Sequence, residues 1–106
     1  MINFEEFKRM DLRVAQVVDV SIHPNADKLY VVKIKAGDEE RTIVAGIRPY
    51  YTEDELKGKK VVVVWNLQPA QIRGVESNGM LLAAREDEKL GVLTVERDIS
   101  TGAKIS

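Results

Sequence analysis

The chain has 106 residues, no cysteine, a single histidine and 16 basic against 17 acidic side chains, for a net charge of −1. That length fits one domain with one core, and the absence of thiols excludes disulfides and cysteine-ligated metal sites. Its longest apolar run, Val61 to Trp65, is far short of the ~20 residues a membrane-spanning helix needs.

In chain order, Asn3-Phe4-Glu5-Glu6 reads as a helix start, with Asn3 as cap and Glu6 reaching back to it. The same acidic start lacks the basic region and apolar stretch of a secretion signal, so a cytoplasmic location is predicted. From Leu12 to Ile22 alternation and β-branched residues predict one long strand with one buried face. His23-Pro24-Asn25-Ala26-Asp27 breaks it. Leu29 to Ala36 alternates again, burying Tyr30, Val32, Ile34 and Ala36 while Lys33 and Lys35 face outward. Gly37 to Glu40 is a hairpin turn, and Arg41 to Ala45 the returning strand. Thr52-Glu53-Asp54-Glu55 is a capping box for a short helix ending by Gly58. Val61 to Trp65 lacks polar alternation, as a strand covered on both faces should. Asn66 to Gly79, with Pro69 and two glycines, reads as a long irregular loop. Gly79 to Ala84 is a further strand, and Val92 to Val95 and Ala103 to Ile105 are short ones.

Five strands with a short helix between the third and fourth match the order of an all-β, five-stranded OB-fold Greek-key barrel. The barrel is expected over about residues 11–85 of a single domain spanning 1–106. The strands of residues 86–106 exceed what a barrel needs and are predicted to serve a homodimer.

Catalytic chemistry has no visible basis. His23, beside a proline, reads as a turn residue, no serine stands in a nucleophile elbow, and one histidine among scattered carboxylates has no metal-ligand spacing. No catalytic residue, metal or cofactor is therefore predicted. Residues 66–80 are more informative, because unstructured loops of that length are uncommon in compact domains and often functional. They carry Asn66, Gln68, Gln71, Ser77 and Asn78 around a lone guanidinium, Arg73. Such a set suits phosphate and ribose hydroxyls. Asn66 and Ser77 equally suit satisfying backbone groups within the loop, and the two roles are compatible.

Charge is segregated despite the near-neutral total. From Lys59 to Arg85 there are four basic residues (Lys59, Lys60, Arg73, Arg85) and one acid, Glu76, and from Lys28 to Lys35 three lysines and no acid. The acids gather in turns and at a helix start, which leaves Lys28, Lys33, Lys35, Lys60, Arg73 and Arg85 available for one positive face.

Three ordered motifs carry a resemblance: His23-Pro24…Ala26-Asp27-Lys28-Leu29-Tyr30, Arg41-Thr42-Ile43-Val44-Ala45-Gly46-Ile47 and Asn66-Leu67…Pro69…Arg73-Gly74…Ser77…Gly79-Met80. Together they resemble the tRNA-binding domain of synthetase-associated proteins, over nearly the whole chain. The pattern is most similar to the C-terminal domain of methionyl-tRNA synthetase or its separate β subunit, and a start at Met1 fits the free-standing form. The resemblance implies an OB-fold that dimerises through its C-terminal extension and binds the outer corner of tRNA by shape, with little sequence reading, beside a synthetase catalytic subunit. It places Lys28, Asn66, Arg73, Ser77 and Met80 at the RNA. Where the family commonly has lysines near Pro69, this chain has Gln68 and Gln71, which implies fewer phosphate contacts and weak binding. A protein-binding chaperone module of the same fold is the alternative.

Overall fold

The computed structural model describes all residues, 1–106. Helix α1 (Phe4–Lys8) and helix α2 (Glu53–Leu56) both begin with the predicted capping boxes, Asn3 with Glu6 and Thr52 with Glu55. Strands β1 (Leu12–Ile22), β2 (Tyr30–Ala36), β3 (Glu39–Ala45), β4 (Lys60–Val64) and β7 (Met80–Leu81) form one antiparallel sheet in the order β3-β2-β1-β4-β7. Two separate hairpins complete the fold: β5 (Ala70–Ile72) with β6 (Val75–Ser77), and β8 (Ala83–Glu86) with β9 (Lys89–Val92). The result is an all-β, OB-like fold.

The sheet curls until its edges meet. Asn78 N–H donates to the Thr42 carbonyl and Val44 N–H to Ser77 Oγ, both at 2.9 Å, joining edge strand β3 to the residues that lead into edge strand β7. Closing a sheet in this way removes the exposed ladder that an open edge presents. Gly79 permits the approach: with φ +127°, a Cβ there would stand 3.2 Å from the Val64 carbonyl oxygen and 3.5 Å from Ile43 Cγ2. Inside lies a cluster of 15 buried residues, most of them from β1, β2, β3 and β4, capped by Leu56 of α2 and by Trp65.

Five expectations are corrected by these contacts. The β1 alternation does not run through: Val17 pairs Ile34 and Asp19 pairs Lys33, leaving Val18 unpaired in a bulge. An inserted residue switches the buried parity of the strand, so the core face takes the odd positions Ala15 and Val17 before the bulge and the even position Val20 after it, with Val18 exposed. Residues 66–79 are not wholly irregular, since β5 and β6 form a three-pair hairpin within them. The strand expected over 79–84 divides at Leu82, its first part pairing β4 and its second β9. Ala103 to Ile105 is no strand, and the C-terminal strand that does form is Lys89–Val92 rather than Val92 to Val95.

The C-terminal residues nevertheless use β-type bonds, and on their own barrel. Val14 exchanges bonds with Gly102 (2.7 Å) and Ala103 (2.9 Å), Ile105 N–H donates to the Leu12 carbonyl (2.8 Å), and Leu93 bridges Val62 and Leu82. The bonds of residues 102–105 cover the first half of β1 along the edge opposite β4, so the surplus strands do not by themselves call for a second copy.

Candidate nucleic-acid interface

The hairpin β5–β6 turns at Arg73-Gly74, whose φ values are +52° and +88°. Both positive values are those of a two-residue type I′ turn, whose twist matches that of the strands it joins. Glycine occupies such a position freely, but an arginine there carries roughly 1–2 kcal/mol of steric cost. Strained backbone of this kind clusters at functional sites. The Arg73 side chain is exposed and enters none of the chain's ion pairs.

The turn is held from the β1–β2 connection. Asn25 N–H donates to His23 Nδ1 at 3.0 Å, which requires a lone pair on that nitrogen and places the imidazole proton on Nε2. His23 Nε2 then donates to the Ile72 carbonyl at 2.9 Å, and Asn25 Nδ2 to the Arg73 carbonyl at 3.1 Å. His23 is 2% exposed. Arg73 and Lys28 thereby border one shallow recess, together with Asn25, Ala26 and Asp27. Sequence reasoning assigned His23 to the turn and missed its role. The available signal was an imidazole two residues before a carboxamide, a spacing at which both side chains can grip one passing segment.

The hairpin also borders an apolar groove of about 330 Å³ whose lining includes Leu67, Gln68, Ile72, Ser77, Met80 and Ala83. Met80 is not core: it is 44% exposed. Hairpin residues line both groove and recess, Ala70, Ile72 and Ser77 the groove and Arg73 the recess, so Lys28 and Arg73 share the recess while Gln68 and Met80 share the groove, with Gln71 exposed on β5 opposite Glu76.

Other expected residues lie elsewhere or are already engaged. Asn66 bonds backbone at both ends, accepting from Asp11 N–H at 2.9 Å and donating to the Arg9 carbonyl at 2.7 Å. Ser77 is buried and closes the barrel, accepting from Val44 and donating to the Gly79 carbonyl at 3.1 Å. Lys60 is tied to Asp98 at 2.7 Å and to the Ile99 carbonyl, fastening the C-terminal segment. Lys33 and Lys35 face outward on β2, opposite Asp19 and Glu40 in the neighbouring strands. Arg85 sits on the β8–β9 hairpin, where Nε donates to the Asp87 carbonyl at 3.2 Å.

Two further arginines flank Trp65. Arg41 lies 3.9 Å and Arg13 5.5 Å from the ring centroid, and Arg41 also donates to the Trp65 carbonyl. Both are neutralised locally. Arg13 forms a forked pair with Asp11, and that hydrogen-bonded guanidinium holds the Asp11 carboxyl below the ordinary aspartate value. Arg41 pairs with Glu39 at 2.8 Å and lowers that carboxyl likewise. No three His, Asp or Glu side chains come together as a metal site.

A curled antiparallel barrel of OB type, with an exposed guanidinium and an ammonium converging beside an open apolar groove, is the architecture of a nucleic-acid-binding module. The chain belongs to the family described as "Putative tRNA binding domain", whose sequence profile matches residues 12–104. Over 104 residues it is 52% identical to the methionine–tRNA ligase of Pyrococcus furiosus, a match covering 98% of this chain and 14% of that enzyme. The chain thus spans about a seventh of the length of that relative. Among solved structures, a MetRS-related protein from Pyrococcus horikoshii superposes with a TM-score of 0.92 at 36% identity, covering 100% of this chain and 98% of that one. The CsaA chaperone protein of Picrophilus torridus does so with a TM-score of 0.92 at 33% identity, covering 100% of both chains. No helix is long and apolar enough to cross a membrane.

Proposed function

We propose that this chain holds transfer RNA for methionyl-tRNA synthetase, as an accessory domain or β subunit in the cytoplasm without a catalytic site of its own. It grips the outer corner of the L by shape, with little preference among tRNAs. The observation that carries this reading is Arg73: an unpaired guanidinium at the apex of a hairpin, on backbone that glycine would occupy without strain, beside the ammonium of Lys28. An A-form helix offers phosphates and 2′-hydroxyls rather than base edges, and a guanidinium matches a phosphate in two parallel bonds. Lys33 and Lys35 extend the positive charge along β2, Gln68, Gln71 and Met80 supply contacts beside the hairpin, and Asn66 and Ser77 act by shaping the loop. Lys60 and Arg85 contribute at most long-range charge, since each already has a partner within the chain.

Binding is micromolar in scale, and a homodimer raises it by avidity. Exposed Leu93 and Ile99 on the C-terminal segment support that assembly, and sedimentation tests it: a monomer at tens of micromolar removes the dimer. Filter binding with unfractionated tRNA at low salt tests the main reading. Retention below about 100 μM, lost on Arg73→Glu with the fold intact, supports it; no retention overturns it.

The apolar groove and the likeness to a chaperone protein favour a second reading, a peptide-binding module. Peptide binding indifferent to Arg73→Glu, in the absence of tRNA retention, supports that one instead.

A further inference from the structure

Arg73 can clamp a phosphate only if the turn that carries it is held, and the turn has little of its own to hold it. Strands β5 and β6 pair over three residues, far fewer than an isolated hairpin needs for stability, and the leading turn residue is a strained arginine. What fixes it are two side chains from a connection some fifty positions away in sequence, at separations of 49 for His23 to Ile72 and 48 for Asn25 to Arg73. We infer that His23 and Asn25 are positioning residues for Arg73, holding the carbonyls of Ile72 and Arg73 so that the left-handed turn persists and the guanidinium stays beside Lys28. The inference deepens the tRNA-holding reading and rests on it for the nature of the ligand.

The grip needs one tautomer: Nδ1 accepts from the Asn25 N–H and Nε2 donates to the Ile72 carbonyl, so the ring proton sits on Nε2. The ring is 2% exposed, so no water competes freely for either nitrogen.

The test uses the intact chain and unfractionated tRNA. Asn25 is exposed, so Asn25→Ala leaves the core untouched. It is expected to weaken tRNA retention severalfold and to flatten the dependence of log affinity on log salt by roughly 0.7–0.9, the loss of one phosphate contact. In an Arg73→Ala background the same change has no further effect. His23→Phe fills the site but makes neither bond and weakens retention, while His23→Gln, an uncharged donor and acceptor, restores part of it. In the RNA-free protein, the Arg73, Gly74 and Val75 amides should exchange faster in Asn25→Ala and His23→Phe than in the wild type, and His23→Gln should recover part of the protection. Equal losses of retention from Asn25→Ala with and without Arg73, or hairpin amides that exchange as in the wild type in both variants, overturn the inference. Should the wild-type chain retain no tRNA, the functional reading falls, and amide exchange alone then decides the positioning claim.

Discussion

Ser77 Oγ takes the place of a strand. It lies 2.9 Å from the amide of Val44 at the edge of β3, where a backbone carbonyl would otherwise stand, and passes its own proton to the Gly79 carbonyl. Both groups are buried, and a buried donor left without a partner costs about 1–3 kcal/mol. Ser77→Ala orphans the Val44 amide without changing the apolar packing. Urea denaturation should show a lower midpoint with an unchanged slope, and tRNA retention measured well below that midpoint should weaken only modestly, since the loop loses a brace but no RNA contact. A variant as stable as wild type would show that another group closes the barrel.

Arg73 offers the converse separation, function without stability. Asparagine tolerates left-handed backbone better than arginine does, so Arg73→Asn is expected to match or exceed the wild-type melting temperature. Loss of a charge-assisted contact to phosphate should lower tRNA affinity roughly tenfold. A calorimetric scan and filter binding on the same preparation decide it. If Arg73→Asn binds as tightly as wild type, the strained residue is there for some other reason.

How much of this was legible in the sequence depended on the range of the contact that made it. The capping boxes of α1 and α2 involve residues three apart and were read directly. So was β2, whose uninterrupted alternation buries Tyr30, Val32, Ile34 and Ala36 as expected. In β1 the alternation was real on both sides of Val18 but changed faces there, because a bulge has no composition of its own. Asn66 illustrates the harder case: its carboxamide bonds Arg9 and Asp11 across separations of 57 and 55, so only the fold reveals that a loop amide is a brace. The Arg73-Gly74 turn was similarly hidden, since an arginine rarely leads a type I′ turn and the His23 and Asn25 grip that steadies it comes from the β1–β2 connection.

Arg41 is the residue whose conservative replacement should fail. Its guanidinium stacks at 3.9 Å on Trp65, pairs with Glu39 and donates to the Trp65 carbonyl, and an ammonium cannot make the flat contact and the fork together. Arg41→Lys should cost roughly 1–2 kcal/mol and shift the fluorescence of the single tryptophan, which reports that ring alone. Unchanged emission and stability would show that the stacking contributes nothing.

Lys60 was a candidate for the RNA face, and its geometry points to a different prediction. Its ammonium fastens Asp98 and the Ile99 carbonyl, at the base of the segment that returns to cover β1. The hydrogen bond from Lys60 holds the Asp98 carboxyl below the ordinary aspartate value of 3.8. A carboxyl whose folded value is depressed stabilises fully above its unfolded value, and that contribution disappears as pH falls through the folded one. The segment should therefore be quiet at neutral pH and loosen below about pH 4, seen as faster amide exchange at Gly102, Ala103 and Ile105 than the intrinsic acid dependence accounts for. Lys60→Ala should produce the same loosening at neutral pH and abolish the acid step, while the salt dependence of tRNA binding stays as in the wild type. A lower salt slope in Lys60→Ala, with the segment still protected, would return this lysine to the RNA face.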